Sequence, residues 1–333
     1  MKKLLKMILV CLIYMPVMAM DDVTKIEKLN TLVFLPQAVP LSIAQATTTL
    51  DINEVCTNIQ KGHNVENEDK YIEITRGIVF KLSTKIPSGD QGVICIYVPG
   101  YSGMSTRTPY KYAGSGAYST FNFLKAGIMP KDAVCVSFDL KDELAKFNFG
   151  QELDQGCLNT IYEKTIEQSP RAKVVLFGSC RGATLILNYL TNPEYKEKNF
   201  GPIKAIVLES PAISLDTLTD QVATSYLYGN SWALRPVFSY AFSSYKWGQK
   251  TMIDNADNFP SSIPALVGYF EQDKLANPRA VEAIVSKFKD KNKNIEGFKS
   301  ANTQLRHSQL SKAEDFQEKA RSFLGQHVKE KTE

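Results

Sequence analysis

The chain has 333 residues, 44% of them hydrophobic and 22% charged. That composition fits a globular protein with one large domain or two average ones, and it excludes a disordered, collagenous or coiled-coil chain as an overall description. Thirty-nine Lys and Arg against 35 Asp and Glu leave a formal charge of +4, and Lys2, Lys3 and Lys6 at the extreme N-terminus supply three of those positives. The remainder is nearly neutral and offers no basic stripe, so no nucleic-acid partner is expected.

The N-terminus reads MKKLLKMILVCLIYMPVMAM: a basic start, an apolar run over 7–17, then the small residue Ala19. This is the grammar of a secretory signal peptide over 1–19, with Val17-Met18-Ala19 as the cleavage tripeptide. It predicts a mature protein that is secreted or periplasmic. The run is interrupted by Pro16 and falls short of the ~20 apolar residues that a membrane span needs. An uncleaved segment tethering the protein to a membrane is the alternative. Residues 20–333 hold no other stretch long enough to span, so no integral membrane segment is expected after signal removal. Five cysteines would remain (Cys56, Cys95, Cys135, Cys157 and Cys180), and an odd count leaves one unpaired. No CxxC motif or Cys/His cluster appears, so neither a metal site nor a cofactor is predicted.

Residues 20–70 are mixed and polar and read as an extension wrapped on the core. From residue 71, YIEIT and IVFKL predict a two-stranded hairpin. Four apolar, β-branched runs follow at 93–98, 133–138, 173–177 and 203–208. Such non-alternating runs suit strands buried on both faces of a parallel sheet. Helix-like segments at 108–126, 151–168 and 181–191 lie between them. Strand, crossover helix and strand in repetition predict an α/β fold with a doubly wound, mostly parallel sheet. A further strand at 264–269, a helix at 278–288, a strand at 295–299 and a helix at 311–323 complete the pattern.

The rhythm breaks over 211–262, a segment too long to lack structure of its own. It is read as a helical, aromatic-rich cap inserted after the sixth strand, into a core formed by 71–210 and 263–333. Trp232, Phe238, Tyr240 and Phe242 are its candidates for walling an apolar substrate pocket, with gluing the cap to the core as the plainer role.

The most informative stretch is KVVLFGSCRGATLILNYL at 173–190. A strand ends at Gly178, a helix begins near Arg181, and Gly178-Ser179-Cys180-Arg181-Gly182 forms the turn between them. Glycines two residues either side of a central residue, between strand and helix, are what a nucleophile elbow requires. The central residue is Cys180. The start of the helix favours a thiolate there, and a nearby Arg181 side chain would push the same way. Ser179 stands one position too early for the glycine spacing.

A nucleophile needs a base, and the base an orienting carboxylate. The chain has three histidines: His63 in the polar extension, His327 in the charged tail, and His307 in a loop after the last predicted strand. Elimination and position select His307. For the carboxylate, the strand at 264–269 runs out into Glu271-Gln272-Asp273. Asp273 is the first candidate and Glu271 its neighbour in competition, with Glu209 and Asp216 ranked below. A helix cap is the structural alternative for Asp273.

The order Cys180, Asp273, His307, together with YVPGYSG at 97–103, resembles the α/β-hydrolase superfamily over roughly residues 71–325. The resemblance implies an oxyanion hole built from the backbone N–H groups of Tyr101 and Arg181, one such donor being worth roughly 3–4 kcal/mol in the transition state. It implies hydrolysis of an ester, thioester or amide through an acyl-enzyme, with a small-molecule or acyl substrate. The departure is Cys where most members carry Ser; in that respect the chain is similar to the dienelactone hydrolase branch, whereas the aromatic cap looks like those of lipases and peptidases. The competing expectation is a catalytically silent member of this fold acting as a ligand- or protein-binding module. It requires His307 to lie far from Cys180, or a cap side chain to fill the oxyanion position. A redox-active Cys180 ranks last, because no resolving cysteine stands at CxxC spacing.

Overall fold

The computed structural model describes residues 72–74, 77–81, 92–98, 100, 126–130, 133–138, 150, 152–241, 252–302, 304, 305, 307 and 309–328. The signal segment, the extension over 20–70, nearly all of the helix expected at 108–126, Tyr101, Phe242 and the side chain of Tyr240 lie outside this description.

Eight strands form one sheet: β1 (Ile72–Ile74), β2 (Gly77–Lys81), β3 (Val93–Val98), β4 (Val134–Phe138), β5 (Lys173–Ser179), β6 (Ile203–Glu209), β7 (Ala265–Phe270) and β8 (Ile295–Ser300). Their spatial order is β1-β2-β4-β3-β5-β6-β7-β8. The expected hairpin, β1 with β2, is antiparallel and joins the sheet through an antiparallel β2–β4 pairing. The pairings from β4 through β3, β5, β6 and β7 to β8 are all parallel.

The inner strands are buried along their length, as their unbroken apolar runs require. Alternate residues feed opposite layers. Ile94, Ile96 and Val98 face one core with Val174, Leu176, Ile206 and Leu208; Val93, Cys95 and Tyr97 face the other with Val175, Phe177 and Val207. The first layer is closed by helices α1 (Glu152–Gln168), α2 (Arg181–Thr191) and α5 (Pro278–Lys289), the second by α6 (Glu314–His327). Helices on both faces of a largely parallel sheet make the fold doubly wound, as the strand pattern predicted.

Between β6 and β7 stand two helices, α3 (Leu215–Tyr226) and α4 (Ser231–Ala241). Ser214 caps α3 by accepting the Thr217 N–H, while the Thr217 hydroxyl accepts the Ser214 N–H. In the insert, Phe238 is half-buried against a small cluster around Ala212 and Leu215. Trp232, in contrast, is 75% exposed, and Tyr228 at the helix junction is fully exposed. Trp232 therefore walls no enclosed pocket in this structure. It sits in the first turn of α4, whose buried anchor is Leu234, and a helix resting on so narrow a stripe leaves Trp232, Ala233, Arg235 and Pro236 in solvent.

The last helix also starts later than the sequence suggested. Residues 310–312 form a short 3-10 turn, and α6 begins at Glu314.

Candidate active site

Parallel strands deliver their carboxyl ends to one edge, and three neighbouring ends build the site. At the end of β5 the chain turns sharply into α2. Cys180 sits at that turn with φ 52° and ψ −116°, a left-handed conformation that few side chains tolerate. Its N–H donates to the Glu209 carbonyl at 2.8 Å, and the Thr184 N–H donates to its carbonyl at 3.0 Å. The glycine at 178 has a steric origin. A Cβ there would lie 2.7 Å from the backbone N and Cα of Ala183, so only glycine lets strand and helix approach this closely. Arg181 is the first residue of α2, where backbone N–H groups have no acceptor within the helix.

The Arg181 side chain is buried, and its charge acts on the buried carboxylate of Asp154 in α1. Burial pushes Asp154 above the ordinary carboxylate range, against the pull of Arg181 and of the Gly150 N–H at 3.1 Å. The sequence suggested that Arg181 could steady a thiolate; the structure gives its charge a carboxylate to answer.

Beyond β7, Asp273 takes up a tight turn. Its Oδ1 accepts the N–H groups of Leu275 at 2.8 Å and Ala276 at 2.9 Å. It is not a helix cap: α5 is capped by Asn277, with Pro278 opening the helix. The Asp273 side chain is fully buried, and His307 Nδ1 lies 2.9 Å from Oδ1 and 2.8 Å from Oδ2. Nδ1 therefore carries the proton and donates it, and Nε2 is the nitrogen left for chemistry. Burial alone would raise the Asp273 carboxyl. The His307 hydrogen bond and charge, with the two backbone N–H groups, outweigh it and hold Asp273 below the usual range.

Burial likewise pulls the His307 imidazole down, but the charge of Cys180, the Asp273 hydrogen bond, hydrogen bonding with Cys180 and the Asp273 charge together hold it well above the usual imidazole range. Nε2 is buried, and no acceptor meets it in full hydrogen-bond geometry. Cys180, Asp273 and His307, 93 and 34 positions apart in the chain, are thus linked electrostatically at one rim.

The competing carboxylates have other occupations. Glu271 lies 3.6 Å from Lys299 and Asp216 lies 2.8 Å from Arg235, both at exposed positions. Glu209 is different. It is almost wholly buried at the end of β6, where Oε1 accepts the N–H groups of Leu310 and Ser311. Burial pushes Glu209 above its ordinary range, with the two amides, Ser179 and the His307 charge pulling the other way. In the sequence Glu209 is only a lower-ranked acid. The signal that could have raised it is its place as the last residue of a run otherwise built for burial.

Among the hydrogen bonds of the described residues, the Gln221 side-chain amide in α3 ties the insert to this rim by donating to the Asp273 carbonyl. Among the described residues, no group of three or more His, Cys, Asp or Glu side chains is clustered as metal ligands would be.

No protein-family model matches the chain, and no curated protein matches it in sequence. Solved structures do match in shape. An esterase of Pyrococcus furiosus superposes with a TM-score of 0.50 over 76% of this chain and 86% of its own, at 17% identity. A puromycin-hydrolyzing peptidase of Mycobacterium tuberculosis superposes with the same TM-score over 76% of this chain and 38% of its own, at 13% identity. The strand order, the elbow after β5 and these likenesses make the architecture an α/β-hydrolase fold.

Proposed function

We propose that this α/β-hydrolase-fold chain is a hydrolase that cleaves an ester, thioester or amide through a Cys180 acyl-enzyme, with His307 as the base and Asp273 orienting it. The observation that carries the reading is the buried His307–Asp273 pair, both carboxylate oxygens within 2.9 Å of Nδ1, and the Cys180 charge that helps to raise the same imidazole agrees with it. A nucleophile, a base and an orienting carboxylate in that relation are what acyl transfer needs.

The acyl transfer starts from a Cys180 thiolate facing a protonated His307. Sγ attacks the substrate carbonyl carbon, and the bond to the leaving group breaks as that group takes the proton from His307 Nε2. Water then attacks the thioester carbonyl, its proton passes to Nε2, and the carbon–sulfur bond breaks to return the thiolate. Negative charge on the carbonyl oxygen falls to the Arg181 N–H at the start of α2 and, by the family resemblance, to the Tyr101 N–H.

Export rests on the N-terminal signal pattern, and we extend the reading to a secreted or periplasmic enzyme on that ground. The silent binding-module reading needed His307 remote from Cys180 or a cap side chain in the oxyanion position, and the interaction of His307 with Cys180 argues against the first of these.

The test is a screen of short p-nitrophenyl esters, thioesters and aminoacyl amides with the wild type and Cys180→Ala. Turnover in the wild type that vanishes in the variant, with a covalent acyl adduct mapped to Cys180 by mass spectrometry, is the expected result. Turnover surviving in Cys180→Ala would remove the thiol from the mechanism.

A further inference from the structure

The end of β6 has more order than a bystander strand requires. Ser179, Glu209 and Gly268 are paired neighbours across β5, β6 and β7, one rung of the sheet at its carboxyl edge. On this rung Glu209 reaches both ways. On one side its backbone carbonyl accepts the Cys180 N–H, so the main chain of this residue holds the elbow. On the other, Oε1 receives the N–H groups of Leu310 and Ser311, three and four residues past His307. Gly268 completes the seat. A Cβ there would come within 2.4 Å of the side chains of Leu310 and Phe316, so the bare backbone of β7 is what admits Leu310 onto the rung. The next residue, Ser210, is held at φ 48°, a strained geometry that fixes where the strand ends.

A carboxylate removed from water is costly unless hydrogen bonds satisfy it, so a buried Glu here needs a reason. The triad itself uses a different carboxylate, Asp273. We propose that Glu209 is a positioning residue, a clamp whose side-chain acceptor ties the histidine loop to the sheet rung whose backbone already holds the nucleophile turn. This rests on the Cys180–His307–Asp273 reading and adds to it a residue that touches none of the reacting atoms. The clamp works through acceptor oxygens, which a neutral amide also supplies, and not through negative charge.

The groups that could mask such a role are few. The titratable side chain acting on Glu209 is His307 from the loop; Cys180 stands across the elbow, Asp273 lies beyond the imidazole, and Arg181 is answered by Asp154. The experiment follows the alkylation of Cys180 by iodoacetamide, read by peptide mass spectrometry from about pH 5 to pH 9, where an ordinary thiol of pKa about 8.5 is mostly unreactive at the acidic end. The wild type is expected to react well below that range. Wild-type alkylation with an ordinary thiol profile would overturn the triad reading itself and is decided before any variant is made.

With that established, Glu209→Ala should lose about tenfold or more of the acid-side reactivity and move toward the ordinary profile. Glu209→Gln keeps an oxygen for the two N–H donors and should stay within about threefold of wild type. Circular dichroism and melting curves confirm folding. A folded Glu209→Ala with a wild-type profile overturns the clamp. So does Glu209→Gln falling as far as Glu209→Ala, because charge and not hydrogen bonding would then be the active property. If Glu209→Ala does not fold, Glu209→Asp decides. Its carboxylate is withdrawn by one methylene from Leu310 and Ser311, so an Ala-like profile is expected, and a folded variant with the wild-type profile overturns the proposal.

Discussion

The ends of β6 and β7 lie side by side, and each is followed within a few residues by a buried carboxylate or carries one itself. Glu209 is the last residue of β6; Asp273 stands three residues past β7. Both lose water and both accept two backbone N–H groups. Yet Asp273 is held below the usual carboxylate range and Glu209 above it. The difference is the direct imidazole. Asp273 meets His307 Nδ1 with both oxygens, whereas Glu209 feels His307 only as the weakest of its influences. A hydrogen-bonded counter-charge thus decides in which direction each of two buried acids shifts.

The sharpest break in that comparison comes from removing what both ends serve. Cys180→Ala should reduce turnover by more than about 10³-fold, to the background left by binding and oxyanion stabilisation alone. Next, Asp273→Asn should lower kcat/KM by about 10²–10⁴-fold by allowing the wrong tautomer of His307, with the fold retained. Equal losses in Asp273→Asn and Glu209→Gln would erase the division of labour between the two ends; steady-state kinetics on the same ester settles it. On the stability side, Gly178→Ala should cost about 3 kcal/mol, because the added methyl meets backbone and not a yielding side chain. Denaturant melts measure it, and a cost below about 0.5 kcal/mol would show that strand and helix can separate freely at the elbow.

The division between the two strand ends also explains what was legible in the chain. The elbow was readable because its demands are local: two glycines, a strand before and a helix after, all within ten residues of Cys180. His307 and Asp273 were readable by scarcity and by position at strand ends. Glu209 was not, because its partners Leu310 and Ser311 are 101 and 102 residues away and are backbone N–H groups, which every residue owns and no sequence pattern marks. The β-strands followed from their apolar runs to within two residues. β8 has only its first and last residues buried, as an edge strand does, and it was still placed by its position after a helix. In the insert, composition drew attention to the aromatics but not to the faces they occupy. Trp232 is exposed because α4 rests on a narrow contact, a fact of packing that clustering in sequence does not encode.

The opposite shifts of the two acids predict opposite slopes of stability against pH. Asp273, lowered in the folded state, contributes stability that is complete above its unfolded value of 3.8 and is lost as the pH falls through its folded value. Glu209, raised in the folded state, keeps its proton when the unfolded chain has released it. Its contribution is most favourable below 4.5 and declines as the pH rises through the interval to its folded value. Relative to wild type, Glu209→Gln should therefore gain ground as pH rises above 4.5, and Asp273→Asn should regain it only as the pH falls below 3.8. Urea melts at a series of pH values read both slopes, and slopes of the same sign would overturn the contrast.

The smallest effect isolates the hydrogen bond described between the insert and the rim. Gln221 in α3 donates to the Asp273 carbonyl and to nothing on the β6 side among the hydrogen bonds described for it. Gln221→Ala should cost about 1 kcal/mol in stability, the worth of one partly buried hydrogen bond. Because the carboxylate of Asp273 keeps Leu275, Ala276 and His307, the loss should fall on the backbone of the loop and leave the imidazole aligned. kcat should then change by less than about threefold, since the transition state gains nothing from this bond that the ground state lacks. A tenfold fall in kcat with the melting temperature unchanged would mean that the insert holds the acid in register for catalysis, and that the β7 end, unlike the β6 end, depends on the cap for its geometry.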